Sequence, residues 1–335
     1  MTVINSIEIV NNSIKVDTIY KLNEAKSAIE NNDLIEDKLN VIIVISNPCL
    51  YKKRYKLMFE FINRIENEET NVNLFIVELI YKNQQFVITS SNNKNHLQLK
   101  TDCPLWHKEN MINLGIKKLL PVNWKAVAWI DGDVEFENTN WAIDTLKILN
   151  GSQDIVQLFS HCIDMDNKEL AMNIVNSGGY MHSKKMNYQG KGINYWHPGY
   201  AWAITRKAYE KIGGLYEYGI LGSGDYLMMM SLINNVHKSF HKGYNVDYTN
   251  SILDFQKKAK TLRFGYVPGV IRHYFHGTKA NRKYNDRYLI LIKYNYSPYI
   301  DIKYDEEGVI IPSPYFSEEF KTEIANYFKE RLEDD

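Results

Sequence analysis

Short apolar runs alternate with segments of helical period along much of the chain. Residues 41–46, VIIVIS, are continuously apolar and rich in β-branched side chains, which is typical of a strand buried on both faces of a mainly parallel sheet. Apolar residues then recur at helical spacing between positions 57 and 65. The pattern predicts a strand, a loop and a helix as the opening unit.

The same alternation continues to residue 160. The predicted elements are strands at 71–81, 85–89, 126–130 and 154–160, and helices at 105–120 and 141–150. This order predicts an α/β domain with a doubly wound, mainly parallel sheet between helices. Ligands of such sheets bind at the carboxyl ends of the strands.

The second half of the chain is less regular. Residues 161–198 contain glycine pairs and histidines without a clear period, which predicts loops over a cleft. The elements predicted after them are strands at 201–205 and 269–275 and helices at 225–236 and 316–332.

Composition narrows the classes of partner. Lysine plus arginine and aspartate plus glutamate number 40 each, so no net charge attracts nucleic acid or an anionic membrane. No apolar stretch is long enough for a signal peptide or a membrane span. Three widely spaced cysteines without a CxxC pair disfavour both a disulfide framework and a zinc site. We expect a soluble, cytoplasmic protein in a reducing compartment.

Two aspartates directly after the apolar run AVAWI are the first candidate for chemistry. Asp131 and Asp133 flank Gly132. Their side chains would point to opposite faces of an extended chain, and the glycine lets the chain turn. Mg²⁺ and Mn²⁺ take one or two protein carboxylates and complete their coordination with substrate phosphates. The DGD stretch therefore predicts a metal and a nucleotide diphosphate, although a plain Asp-Gly turn would have the same sequence.

Three segments in this order resemble GT-A glycosyltransferases, and more closely the β-1,4-galactosyltransferase family with related viral and bacterial proteins. They are SNPCLYKKR (46–54), HKENMINLG (107–115) and the DGD. The resemblance implies a GT-A fold, which is a Rossmann-like, mainly parallel mixed sheet flanked by helices. It implies that Asp133 binds manganese and that Asp131 lies beside the ribose. The residues it implies for donor binding are Pro48, Arg54, Lys108, Asn113, Asp131 and Asp133.

Two downstream segments extend the resemblance to about residue 295. The stretch GYAWAITRKAYEKIGGLYEYGILGSGD (199–225) resembles the segment that shapes the acceptor site. Its Asp225 matches the aspartate taken as catalytic base. The stretch GVIRHYFHGTKANRKYNDR (269–287) resembles the segment that supplies a histidine metal ligand. His273 matches by position and His276, which precedes a glycine, competes with it.

The acceptor side departs from the family. The residues expected to contact the acceptor or its sugar are Trp196, Tyr200, Gly222 and Ser223. For each aromatic residue, packing in the core is the alternative. The family's tryptophan and glutamate before the base are replaced by Leu221 and Gly224. Its acceptor specificity therefore does not transfer to this chain.

The resemblance implies a metal-dependent, inverting hexosyltransferase. The donor would be a nucleotide sugar, expected to be a UDP-sugar, the cofactor Mn²⁺ or Mg²⁺, and Asp225 would take the proton of an acceptor hydroxyl. A sugar nucleotidyltransferase is a second possibility, although it would need a glycine-rich loop after the first strand. A carbohydrate-binding protein with a degenerate fold is a third. Asp225 could also be only a helix cap, and Arg54 and Lys108 only solvated charges.

The expected division of the chain follows from the same segments. Residues 1–40 form an N-terminal appendage. The GT-A domain is expected at 41–295, with a nucleotide-binding half before residue 160 and an acceptor half after it. Residues 296–335 are expected to form a C-terminal helical tail.

Overall fold

The computed structural model of the protein describes residues 22, 25–27, 29–192, 194–284 and 286–334. Its strands are β1 (Leu39–Ser46), β2 (Val72–Tyr81), β3 (His96–Thr101), β4 (Ala126–Ile130), β5 (Val134–Phe136), β6 (Ile155–Gln157), β7 (His161–Met165), β8 (Ala171–Ser177), β9 (Trp196–His197), β10 (Ala201–Thr205), β11 (Phe264–Tyr266), β12 (Val270–His273), β13 (Ile302–Tyr304) and β14 (Ile310–Pro312). Its helices are α1 (Lys52–Glu68), α2 (Lys108–Leu119), α3 (Trp141–Leu149), α4 (Gly178–Ser183), α5 (Arg206–Ile212), α6 (Gly224–Leu232), α7 (Val246–Ala259), α8 (Tyr288–Lys293) and α9 (Glu318–Lys329).

A seven-stranded sheet forms the centre of the described structure, in the order β11-β6-β10-β4-β1-β2-β3. The strands β1 to β4 pair in parallel, and so do β6 and β11. Only β10 runs antiparallel to its two neighbours in this sheet. The predicted fold class is therefore confirmed as a mixed α/β domain with a mainly parallel sheet between helices.

The β-branched run of β1 explains its central position. Val41, Ile42 and Ile43 are fully buried, because helices cover both faces of the sheet. One of these helices, α2, approaches the sheet closely at Gly115. A Cβ on this glycine would lie 2.9 Å from Val77 Cγ2, so a larger residue would push α2 away from β2.

A smaller sheet, β5-β12-β7-β8-β9, lies at the end of β4 and positions the DGD. The chain leaves β4, turns through Gly132 and enters β5, which pairs antiparallel with β12 and aligns Val134 with His273. The backbone N–H of Tyr274 donates to the carbonyl of Asp133 over 2.8 Å. This register brings the segment 273–276 to the DGD, although they are far apart in sequence.

One predicted strand is wrong. Residues 85–89 do not form a strand, because the backbone N–H groups of Val87, Ile88 and Thr89 donate to the buried carboxylate of Glu78 instead of to a neighbouring strand. The edge of the sheet is β3, a few residues later. The more polar stretch 96–101 therefore forms the edge strand. The apolar stretch 85–89 forms a loop that the carboxylate of Glu78 holds in position.

The two ends of the chain bear on the expected division. Most of residues 1–40, predicted as an appendage, lie outside the described residues. In 296–334, β13 and β14 form a hairpin ahead of α9. Buried side chains of the hairpin and of α9, such as Ile310 and Ile324, belong to the main hydrophobic core. Across the described ranges, no helix has both the length and the apolar composition needed to cross a bilayer.

Candidate functional site

Asp133, His273 and His276 meet at the carboxyl end of β4. The Oδ2 atom of Asp133 lies 2.7 Å from His276 Nε2 and 3.7 Å from His273 Nε2. The three residues offer one ligand atom each, all within 4.8 Å of one another. The other carboxylate oxygen, Asp133 Oδ1, is buried and has no hydrogen-bond partner among the described residues. An uncompensated buried oxygen costs stability, so this triad fits a metal ion.

A fourth residue, Asp164, orients His273. The imidazole Nδ1 of His273 lies 2.7 Å from Asp164 Oδ1, which leaves Nε2 facing Asp133. Burial acts to lower the pKa of His273, but Asp133 and Asp164 outweigh it and raise this pKa to about 9. Burial acts to raise the pKa of Asp133, but His276 and His273 hold it well below its usual value. Without a metal, His273 is therefore protonated at neutral pH, and a bound cation would replace its proton.

Tyr200 supports this arrangement from behind. Its ring stacks on His197 with centroids 4.0 Å apart and lies 4.5 Å from the His273 ring. Its carbonyl accepts the backbone N–H of Asp131 over 2.9 Å. Its φ of 82° is rare for a bulky residue and marks a strained position at the candidate site. Tyr200 is buried, so the structure places this predicted sugar-binding residue behind the metal triad.

Lys108 links the DGD to the predicted base. Its ammonium lies 2.7 Å from Asp131 Oδ1 and 3.0 Å from Asp225 Oδ2. Burial acts to lower the pKa of Lys108, but the two carboxylates outweigh it and raise this pKa above its usual value. The resemblance implied donor binding by Lys108, and the structure gives it two carboxylate partners at the DGD and at α6.

Asp225 lies in the first turn of α6 and does not cap it. The residue at the cap position is Ser223, which has a φ of 74°. The guanidinium of Arg287 donates to its hydroxyl over 2.7 Å. Gly222 packs on the same guanidinium, from which an added Cβ would be 3.1 Å away. Gly222 and Ser223, predicted to contact the acceptor, therefore form a loop that Arg287 holds in position and that presents Asp225.

A buried acid, Glu109, explains the departure at position 224. A Cβ on Gly224 would lie 2.1 Å from Glu109 Oε1, so a side chain at 224 and Glu109 exclude each other. Burial raises the pKa of Glu109 to about 8, and the charge of Asp225 adds to this effect. The acid that the sequence resemblance led us to expect at this position of the loop is absent, but α2 supplies a carboxyl group beside Asp225.

The structure does not bring every predicted residue to this cluster. The amide of Asn113 donates to Leu215 O over 3.0 Å and to Glu217 Oε2 over 2.8 Å. Trp196 is 2% exposed and packs against Tyr188, so it is not an open stacking surface.

The loop after β1 carries the remaining two predicted donor residues. The carbonyl of Pro48 accepts a hydrogen bond from Gln84. The guanidinium of Arg54 donates to Ser46 O over 2.9 Å and to Glu333 Oε1 over 2.8 Å. Arg54 therefore has a carboxylate partner, and the other oxygen of that carboxylate, Glu333 Oε2, lies 3.8 Å from His276 Nδ1 of the candidate site.

Several residues of the site were not identified from the sequence. Asp164 belongs to no motif, and Glu109 lies in the segment HKENMINLG but matches neither of the residues that the resemblance singles out there, Lys108 and Asn113. The register of β7 against β12, which aligns Asp164 with His273, is the structural fact that reveals Asp164. Glu333 was missed because nothing near it in the sequence indicates its partner Arg54. Contacts over such separations leave no local pattern.

Comparisons with known proteins give distant structural similarities only. No protein-family model matches the sequence, and no curated protein matches it. The mannosyltransferase PcManGT from Pyrobaculum calidifontis, solved in complex with GDP-Man and Mn²⁺, has a TM-score of 0.37 at 11% identity, over 83% of this chain and 68% of that one. A protein of Desulfovibrio desulfuricans G20 described as a nucleotide-diphospho-sugar transferase has a TM-score of 0.31 at 9% identity, over 78% of this chain and 99% of that one. Both TM-scores are low, so neither similarity assigns a family or an activity.

The two aspartates of the DGD are predicted to differ in metal binding. Asp133→Asn should remove Mn²⁺ binding, because among the described residues it is this carboxylate that lies near the Nε2 atoms of both histidines. Asp131→Asn should keep the Mn²⁺ affinity within about threefold, because its partner is Lys108. Isothermal titration of both variants with Mn²⁺ is the measurement. Equal losses in the two variants would contradict the assignment of Asp133.

Glu109 is predicted to make stability fall as the pH rises. Its folded pKa of about 8 is above the usual value of 4.5, so the unfolded chain ionises first and the folded state loses up to about 1.4 kcal/mol per pH unit in between. Relative to the parent protein, Glu109→Gln should therefore gain stability progressively from about pH 5 to pH 8. Urea unfolding across this range measures it, with the exposed Glu66→Gln as control. Parallel pH curves for Glu109→Gln and the parent protein would refute the prediction.

Proposed function

We propose that the protein is a metal-dependent glycosyltransferase that transfers a sugar from a nucleotide sugar to an acceptor hydroxyl. The observation that carries the proposal is the double role of the DGD. Asp133 faces two histidines, and Asp131 is joined through Lys108 to Asp225. A candidate metal site and, through Lys108, a candidate base on α6 therefore meet at one turn at the carboxyl end of β4, where doubly wound sheets bind their ligands.

The metal would be held by Asp133, His273 and His276. The buried, unpartnered Oδ1 of Asp133 and the two imidazoles suit a dication with mixed oxygen and nitrogen ligands. Two nitrogen ligands favour Mn²⁺ or another first-row ion over Mg²⁺, which prefers oxygen. When bound, the ion would stabilise the negative charge that develops on the departing nucleotide diphosphate, an effect worth several kcal/mol.

Asp225 would act as the general base. Its carboxylate takes the proton of the acceptor hydroxyl while the hydroxyl oxygen attacks the anomeric carbon of the donor sugar. The bond from that carbon to the diphosphate oxygen breaks, and in-line attack inverts the configuration. Lys108 holds the carboxylate in position from one side, and the loop held by Arg287 fixes it from the other. Such preorganisation of a base supports catalysis.

The donor is proposed to be a UDP-sugar, because the sequence resemblance implies a uridine nucleotide. The residues near the metal triad would bind the phosphates of any nucleoside diphosphate, so recognition of the base is assigned to the rest of the loop after β1, around Pro48. A sugar nucleotidyltransferase is disfavoured because this loop, SNPCLYKKR, contains no glycine to wrap around a triphosphate.

A donor panel tests the proposed reaction. The protein with Mn²⁺ and UDP- or GDP-sugars is expected to release the nucleoside diphosphate, faster when an acceptor glycan is added. Release of diphosphate with Mn²⁺ and its loss with EDTA would support the proposal. Release of pyrophosphate from a nucleoside triphosphate and a sugar phosphate would instead identify a nucleotidyltransferase. No turnover and no binding with any donor would contradict both activities.

The role of Asp225 is tested by an isosteric change. Asp225→Asn should bind the donor nucleotide as the parent protein does and lose transfer by about 10²- to 10⁴-fold, because the amide cannot accept the hydroxyl proton. The measurement pairs nucleotide titration with initial rates. Asp254→Asn, at an exposed aspartate of α7 whose partner is the exposed Lys257, is the control. Transfer near the parent rate in Asp225→Asn would remove Asp225 from the mechanism.

A further inference from the structure

A buried carboxylate from the segment after α9 lies against the metal triad. Glu333 is fully buried. Its Oε1 accepts a hydrogen bond from Arg54 Nη2 over 2.8 Å and forms an ion pair with Arg331 Nη2 at 2.7 Å. Its Oε2 accepts a hydrogen bond from Arg54 Nε and lies 3.8 Å from His276 Nδ1. His276 is therefore flanked by Asp133 on one side and by Glu333 on the other.

Three guanidinium groups lie around Glu333, and together they offer more hydrogen-bond donors than one carboxylate can accept from. A third guanidinium, that of Arg282, places Nη2 2.8 Å from His276 Nδ1. Three buried guanidinium N–H groups have no hydrogen-bond partner among the described residues, namely Arg282 Nε, Arg331 Nε and Arg331 Nη1. Unpaired buried donors are costly. The cluster fits an anion with more charge and more acceptor oxygens than a carboxylate, and guanidinium groups match phosphate oxygens in geometry.

The residues that carry Glu333 are held mainly by polar contacts. The backbone N–H of Leu332 donates to the hydroxyl of Tyr51 over 3.1 Å. Asp334 accepts the backbone N–H groups of Lys52 and Lys53 at the start of α1. Leu332 is already 47% exposed, and its neighbours Glu333 and Asp334 are polar, so releasing 332–334 would expose little further apolar side-chain surface. Arg331 differs, because it is buried with its guanidinium 5.2 Å from the Trp106 ring.

We propose that Arg54, Arg282 and Arg331 form the subsite for the donor's diphosphate and that Glu333 occupies this subsite as an internal competitor. The diphosphate and the Glu333 carboxylate then exclude each other, and 332–334 must move for the donor to bind while Arg331 stays on Trp106. Naming the anion as the donor's diphosphate rests on the proposed function. The alternative is that Glu333 only holds Arg54 in place, and then its loss would weaken anion binding.

Inorganic pyrophosphate in metal-free buffer is the probe. Isothermal titration is expected to show that Glu333→Gln binds pyrophosphate about tenfold more tightly than the parent protein, because the competing charge is gone. Arg331→Gln should bind it at least about tenfold more weakly. Weaker or unchanged binding in Glu333→Gln, or no binding by either protein, would overturn the proposal.

Two further variants separate displacement from a simple change of charge. Tyr51→Phe keeps every charge but removes the hydrogen bonds of this hydroxyl to Leu332 and to the carbonyls of Phe328 and Lys329, and should raise pyrophosphate affinity about threefold. Glu330→Gln, whose partner is the exposed Lys283, should change it by less than about twofold. Hydrogen exchange of the peptide that contains 332–334 should become faster when pyrophosphate binds. Slower or unchanged exchange would show that Glu333 is not displaced.

Failure of this inference and failure of the proposed function give different results. If pyrophosphate displaces 332–334 but no nucleotide sugar is turned over, the anion site stands and the transferase activity is wrong. If nucleotide sugars are turned over and Glu333→Gln leaves the affinities for UDP, GDP and pyrophosphate unchanged, the transferase stands and the competitor role of Glu333 is wrong.

Discussion

The candidate site depends on the pairing of β5 with β12 immediately after the DGD. The hydrogen bond from Tyr274 N–H to the carbonyl of Asp133 fixes the turn against the histidine segment. Successive strand residues face opposite sides, so a slip by one residue would turn His273 away from Asp133. The second pairing of β12, with β7, adds Asp164 behind His273. The registers of β5, β12 and β7 thus bring three separate segments of the chain together around the carboxylate of Asp133.

This arrangement buries several charged side chains, which is unfavourable in free energy. The site offsets part of this cost because one charged group pairs with two others. Lys108 serves both Asp131 and Asp225, so one desolvated cation stabilises two carboxylates from different elements. Glu109 lies next to them without a cation of its own, and burial keeps it protonated at neutral pH. Within the part of the chain that the structure describes, buried polar atoms of Asp133, Arg282 and Arg331 have no hydrogen-bond partner. Buried polar atoms without a hydrogen-bond partner are typical of functional sites, where a ligand supplies the missing partner.

Particular residues show how far the sequence alone could go. The strand β1, the helix α2 and the placement of the DGD at a strand end follow from hydrophobic period and were predicted. The stretch 85–89 was predicted wrongly because its apolar residues resemble a strand, while Glu78 takes its N–H groups. Trp196 and Tyr200 have the side chains of a sugar-stacking surface, but both are buried. Residue type indicates what a side chain is able to do, and burial decides whether it is accessible.

The sequence by itself determined the α/β class, the turn after β4 and the two histidines as candidate ligands. The class follows from the hydrophobic period of successive segments, and the turn and the histidines lie in short stretches that their resemblance to known motifs singles out. Only the tertiary structure decided that both histidines reach Asp133, that Lys108 joins Asp131 to Asp225, and that Glu333 meets Arg54. These contacts join residues far apart in the chain. They depend on strand register and helix packing, which no local pattern specifies.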